Sequence, residues 1–336
     1  MTTMRAIAVR GGKGPATSLY VAQIPRPVPA AGQVIVKIKA FGLNRMDLLQ
    51  REGLYPLPKQ APETMGVEFS GTIEEFGPEG HEDFKVGDEV FGLAYGGAYA
   101  EYIAVSSHML VHKPAQLSWE EAAGVSEADL DHRVASTLRH RRVSSRPDSP
   151  LARGASAVSI SGIQLAKAAG AKAIYATAGS QEKIDFLENE LGVTKAFNYK
   201  TQDWAAEIHT VTGGAGVNLT VDFIGATYFQ GNIDAAAQDG RVVLLGLMGG
   251  SKLPDGVNIG PLLLKRIRVE GSTLRSREVD YQRKLRDRLV DYALPKFRDG
   301  IFKVLVEKVF TFEQIVQAHE LLESNTTKGK IICVIP

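Results

Sequence analysis

The sequence predicts an α/β protein of two domains, one compact and β-rich, the other a doubly wound parallel sheet. Three observations predict it. A chain of 336 residues has room for two buried cores. Residues 1–125 are rich in glycine, proline and alternating apolar positions. From about Gly154 to Gly271, short apolar runs alternate with helix-patterned segments, as parallel strands joined by crossover helices require. The boundaries fall at residues 1–124, completed by 275–336, and at 125–274.

In chain order, Val34, Val36 and Ile38 alternate with Ile35, Lys37 and Lys39, which predicts a strand with one face toward the core. Lys85–Gly92 predicts a turn feeding another strand, and Tyr99–Val105 the next. Ile163–Ala169 is helical and is stopped by Gly170. Lys172–Ala178 is a strand, Gln181–Leu191 an amphipathic helix, Val217–Ile224 a strand ending at Gly225, and Arg241–Gly246 another. The tail supplies a charged helix over Glu278–Tyr292, a strand, a helix over Phe312–Glu323 and a last strand ending at Ile335.

Composition excludes several classes. A net charge of +1 gives no electrostatic case for nucleic acid or a membrane surface. No apolar run approaches the ~20 residues of a membrane span, and no secretory signal is visible, so the cytoplasm is the expected location. The single cysteine, Cys333, forms no internal disulfide and leaves no thiolate set for a structural zinc lobe. Its place in Ile331–Ile335 marks it as a core residue.

A doubly wound sheet binds ligands beyond the carboxyl ends of its strands, where small residues let backbone amides approach phosphates. Here that turn reads Gly154-Ala155-Ser156-Ala157, small but poor in glycine, and alone it is a weak signal. The second strand says more. It ends Ala178-Gly179-Ser180-Gln181-Glu182-Lys183, without the acidic residue that accepts from the ribose hydroxyls of NAD. The uncharged turn leaves room for a 2′-phosphate, with Lys183 as counter-charge and Tyr199 as cover, so NADPH is the expected cofactor. The competing reading makes Lys183 a solvated helix residue.

Leu43-Asn44-Arg45-Met46-Asp47-Leu48-Leu49-Gln50-Arg51-Glu52-Gly53-Leu54-Tyr55-Pro56 resembles a signature of zeta-crystallin-like quinone oxidoreductases of the medium-chain dehydrogenase/reductase superfamily. Gly66–Gly71, Val86–Val90, Leu245–Gly250, Thr273–Arg277 and Asn325–Lys330 extend the resemblance, which is nearest the p53-inducible quinone oxidoreductase branch. It implies a GroES-like β-rich catalytic domain and a Rossmann cofactor domain, a homodimer, and hydride transfer from NADPH to a quinone-like acceptor. It also implies that Asn44 lies near the nicotinamide and its ribose, that Tyr55 faces the acceptor, and that Ser156 is the small hydroxyl of the pyrophosphate turn. These three are the candidate catalytic residues. Gly225, Leu247, Met248 and Gly249 are expected to line the ribose and nicotinamide. The zinc alcohol dehydrogenases need a Cys where this chain has Leu43-Asn44 and a His where it has Val67, so no metal site is expected. Glu68 keeps the superfamily carboxylate and is expected to be an internal ion-pair partner. Two alternatives share the scaffold: a reductase of 2-enoyl thioesters or enones, and a non-catalytic crystallin-like relative.

Between Glu127 and Gly154 the resemblance stops. Asp131–Arg153 holds six arginines and no lysine, without periodicity, where a linking helix and the first strand are expected. Codons that can encode Asp129–Arg133, read one base later, give Thr-Trp-Ile-Thr. The same shift over Arg141–Arg146 contains Gly-Phe-Arg-Pro-Gly and over Pro147–Arg153 gives Gln-Thr-Leu-Leu-Trp-His-Ala, all in the family's order. Residues 128–153 therefore read as a local frameshift, with a divergent insertion as the alternative. Arg146, Asp148 or Arg153 in the central strand layer would bury unpaired charge at several kcal/mol each.

Overall fold

A computed structural model describes residues 2–79, 83–125 and 150–336. The chain forms two compact units: one gathers the described residues up to 125 with Leu274–Pro336, and the other runs from 150 to Thr273.

The first unit opens with a hairpin of β1 (Thr3–Val9) and β2 (Leu19–Pro25). Strand β3 (Gln33–Gly42) follows, then helix α1 (Arg45–Arg51), β4 (Glu68–Phe76), β5 (Glu89–Leu93), β6 (Tyr102–Ser106), β7 (Leu110–His112) and α2 (Trp119–Ala123). In β3 the residues Val34, Ile35 and Val36 are all buried, against the one-sided burial that alternation predicts. The strand is bonded to β4, to β6 and to the C-terminal strand, while Lys37 and Lys39 stay partly exposed. Helix α1 was read only as a motif. It starts because the Asp47 carboxylate accepts from the Asn44 backbone N–H at 2.8 Å, half of a capping box.

The second unit begins with β8 (Pro150–Arg153) and α3 (Ala157–Ala168). Helix α3 starts six residues before Ile163. The hydroxyl of Ser156 caps it by accepting from Ser159 N–H at 3.3 Å, and Ser159 and Ser161 are buried within it. Then come β9 (Tyr175–Ala178), α4 (Gln181–Asp185, continued by a wider turn to Glu190), β10 (Lys195–Asn198), α5 (Trp204–Val211), β11 (Val217–Asp222), α6 (Phe229–Ala235), β12 (Ala236–Leu244), α7 (Gly260–Leu264) and β13 (Arg268–Gly271). All pairings in this sheet are parallel, in the order β10-β9-β8-β11-β12-β13. Strand order reverses between β8 and β11, which makes their carboxyl ends the ligand-binding switch point. The interruption read at 128–153 lies outside the described residues up to 149. Its last four residues form β8, with Leu151 buried against Tyr175, Phe197, Trp204, Ile208 and Val217.

The tail returns to the first unit with α8 (Val279–Arg288), α9 (Leu294–Arg298), β14 (Val306–Thr311), α10 (Ile315–Glu323) and β15 (Lys330–Val334). Its sheet runs β14-β15-β3-β4-β5-β7, with β6 also on β3. Cys333 is buried in β15, and burial pushes its thiol pKa up, as a core residue requires.

Candidate active site

In the first unit a turn before α1, the start of β4 and the start of β15 bring three side chains together. Asn44 Nδ2 donates to Glu68 Oε1 at 2.8 Å, and Lys330 Nζ donates to Asn44 Oδ1 at 2.8 Å. Lys330 Nζ also pairs with the same Glu68 oxygen. Lys330 and Glu68 are buried, so the ion pair expected of Glu68 is present, with a partner the sequence did not reveal. A lysine opening an apolar strand reads as solvated, and its contact with Asn44 spans 286 residues. Val67, beside Glu68, is a buried aliphatic with no metal-binding atom.

Behind Asn44 lies a second buried set. Asp47 is fully buried, and desolvation, opposed by the Asn44 N–H and the Arg275 charge, raises its pKa from 3.8 to about 6. Tyr99 Oη donates to Asp47 Oδ2 at 3.1 Å and lies 3.3 Å from His319 Nε2. His319 Nδ1 lies 3.3 Å from Arg51 Nη1. Arg51 donates, so Nδ1 accepts and the ring proton sits on Nε2, facing Tyr99. Burial, and then the Arg51 charge, lower the His319 pKa from 6.5 to about 3.

Tyr55 stands apart from these sets, half-buried, with the Arg275 guanidinium 5.3 Å from its ring centroid. Arg275 is itself buried and fixed. Its Nε donates to Tyr95 O at 2.6 Å and its Nη1 to Gln50 Oε1 at 3.0 Å. Arg275 sits in a motif the sequence reading quoted, yet its role there was missed.

In the second unit, Gly154, Ala155 and Ser156 follow β8 at the switch point, with Ser156 exposed. Gly179 and Ser180 end β9, and Tyr199 follows β10 beside them. A Cβ on Gly179 would come within 2.6 Å of Tyr199 Oη and 3.1 Å of Lys200 Cε, so a larger residue would have to displace these side-chain ends. Ser180 Oγ accepts from Lys183 N–H at 3.4 Å. Gly225, at φ +83°, is held by Asp222, whose carboxylate accepts from Ile224 N–H, Gly225 N–H and Asn232 Nδ2. Met248 N–H donates to Phe223 O at 3.0 Å and Gly249 N–H to Ile224 O at 2.7 Å, which ties the turns after β11 and β12 together. Leu247 and Met248 are exposed on that rim. Small residues, an open glycine turn and a buried carboxylate organising backbone N–H groups fit a dinucleotide. Among the described residues no group of three or more His, Cys, Asp or Glu is placed to hold a metal ion.

Residues 30–115 match the alcohol dehydrogenase GroES-like domain family and residues 157–290 the zinc-binding dehydrogenase family. The two matches, like the two units, define a two-domain dehydrogenase or reductase. A zinc-type alcohol dehydrogenase-like protein of Schizosaccharomyces pombe is 30% identical, over 90% of this chain and 91% of its own. The quinone oxidoreductase of Lama guanicoe is 27% identical, over 99% and 98%. Among solved structures, Escherichia coli quinone oxidoreductase complexed with NADPH superposes with a TM-score of 0.82 at 25% identity, over 98% and 99%. The CurK enoyl reductase superposes with 0.83 at 27%, over the whole of both chains. The chain belongs to the medium-chain dehydrogenase/reductase superfamily, and quinone oxidoreductases are among the relatives it is similar to.

Proposed function

We propose that this chain is a zinc-independent oxidoreductase that transfers hydride from NADPH to a quinone or another activated carbonyl or enone. The observation that carries the reading is the Asn44–Glu68–Lys330 cluster. Where the zinc enzymes carry metal-binding side chains, this chain has an amide, the aliphatic Val67, and a carboxylate already paired with a buried ammonium. A divalent cation there would meet the Lys330 charge and lack ligands.

The bound coenzyme supplies the hydride. In this reading Gly154–Ser156 admit the pyrophosphate. Gly179 and Ser180 leave room for the 2′-phosphate, which Lys183 balances and Tyr199 covers. Gly225 and Leu247–Gly249 line the ribose and the nicotinamide, and the resemblance makes Asn44 a further candidate for the nicotinamide ribose. Tyr55 offers a flat ring to the acceptor and a phenol to its oxygen, and Arg275 steadies the ring. The resemblance to an NADPH-complexed quinone oxidoreductase supports the coenzyme, and the resemblance to an enoyl reductase keeps enoyl thioesters as the second acceptor class.

The test is coenzyme oxidation with 1,2-naphthoquinone and with crotonyl thioester, using NADPH and NADH, alongside metal analysis. Faster turnover of the quinone with NADPH is expected. Preference for NADH, or a requirement for stoichiometric zinc, overturns the reading. Lys183→Ala should raise KM for NADPH about tenfold and leave that for NADH within about twofold, the loss of one charge-assisted contact.

A homodimer in the cytoplasm completes the proposal. In the second unit β13 is an outer strand of its sheet among the described residues, and Ile259, Leu263 and Leu264 are 62%, 81% and 77% exposed. An open edge beside an apolar patch is where a second copy adds. Light scattering should give twice the chain mass, and Leu263→Asp should halve it. No described helix is long and apolar enough to cross a membrane.

A further inference from the structure

Resting on the reading that Asn44 meets the nicotinamide half of the coenzyme, we propose that Lys330 is a positioning residue that fixes which end of the Asn44 carboxamide serves which partner. The amide is gripped at both ends. Its oxygen accepts from the buried Lys330 ammonium at 2.8 Å, and its nitrogen donates to the buried Glu68 carboxylate at 2.8 Å. Lys330 and Glu68 are themselves paired through the same carboxylate oxygen. A flipped amide would turn its NH2 toward an ammonium and its oxygen toward a carboxylate, so the two charges lock a single orientation. The backbone is locked as well, because Asn44 N–H donates to Asp47.

One lone pair on Oδ1 and one N–H on Nδ2 remain beyond these bonds. A ligand hydroxyl or carboxamide therefore meets an acceptor and a donor in a fixed order, and none of its binding free energy goes into ordering the side chain. The cluster is closed around the pair. A Cβ on Gly42 would press on Glu68 Oε1, and one on Gly124 would lie 3.3 Å from Lys330 Cγ. Lys330 acts through Asn44.

The test must separate this role from charge burial, since Lys330→Met alone strands the Glu68 carboxylate. The pair Glu68→Gln with Lys330→Met removes both charges and keeps an acceptor for Asn44 Nδ2. Thermal unfolding and NADPH Kd by fluorescence are measured on this pair with and without Asn44→Ala, and the Asn44 side-chain amide signals of the coenzyme-free protein are recorded by NMR where Asn44 is kept. The expected result is a folded pair whose Asn44 amide protons lose their protection from exchange. Its NADPH Kd should rise about tenfold, the worth of one hydrogen bond, and change less than about twofold when Asn44 is already alanine. Equal losses of affinity in both backgrounds, or unchanged amide signals, overturn the proposal. If Asn44→Ala leaves NADPH binding untouched, the coenzyme reading of Asn44 fails and the proposal with it. An effective Asn44→Ala with unchanged amide signals overturns the positioning role alone.

Discussion

His319 and Asp47 show what single buried residues do to this fold. His319 is held neutral by burial and by Arg51, so the folded state binds its proton only near pH 3, whereas the unfolded chain binds it near 6.5. Stability is therefore lost as pH falls through that window, by at most about 5 kcal/mol. Asp47 works in the opposite direction. Its folded pKa of about 6 lies above the unfolded 3.8, so its contribution is complete below pH 3.8 and disappears as pH rises through 6. Between pH 4 and 6 the two oppose each other and largely cancel. His319→Asn keeps an acceptor toward Arg51 and removes the titration. Urea unfolding from pH 4 to 7 should show the wild type nearly level while the variant gains toward acid as Asp47 protonates. Parallel profiles for the two proteins would contradict this account. Neither residue was legible in the sequence. A histidine on an amphipathic helix and an arginine four residues before Tyr55 carry no local sign that they meet across 268 positions.

At the scale of elements, what was legible had a local cause. The parallel sheet followed from strands alternating with helices, and Gly170 and Gly225 marked ends because no other residue suits their backbone there. Helix α1 and the first half of α3 were illegible because capping by Asp47 and Ser156 started them, not an apolar stripe. The cofactor turns were legible as small or uncharged residues at strand ends. Lys330 was not, since only the pairing of β15 with β3 brings it to Asn44. Strand β8 is short. Among the described residues it pairs with β11 at Leu219↔Pro150 and Thr220↔Leu151, and Leu151 packs in the cluster of Tyr175, Phe197 and Trp204. Leu151→Ala should cost about 2–5 kcal/mol in urea unfolding, because aromatic rings from three elements cannot collapse into the gap. A loss below about 1 kcal/mol would mean that the central strand does not hold this sheet together.

At the scale of the molecule, β8 decides whether the second unit assembles. In a sheet ordered β10-β9-β8-β11-β12-β13 it is the strand on which both halves hang, and the turn after it is the one proposed for the pyrophosphate. Such a strand needs a continuous apolar run. Its neighbour β11 is buried at all six residues, Val217–Asp222, with Val217, Leu219 and Val221 apolar, whereas Pro150–Arg153 has proline at one end and arginine at the other. A one-base shift over 128–153 would replace this stretch with Leu-Leu-Trp-His-Ala entering Gly154, and we expect it to restore a strand and a turn of the family's kind. Both versions can be made and compared by thermal unfolding and NADPH titration. The shifted chain should melt about 8 °C or more higher, which for a protein of this size corresponds to several kcal/mol, and it should bind NADPH at least tenfold more tightly. A chain as written that matches it in both would show the arginine-rich stretch to be a tolerated insertion, with the sheet closing around four residues of β8 unaided.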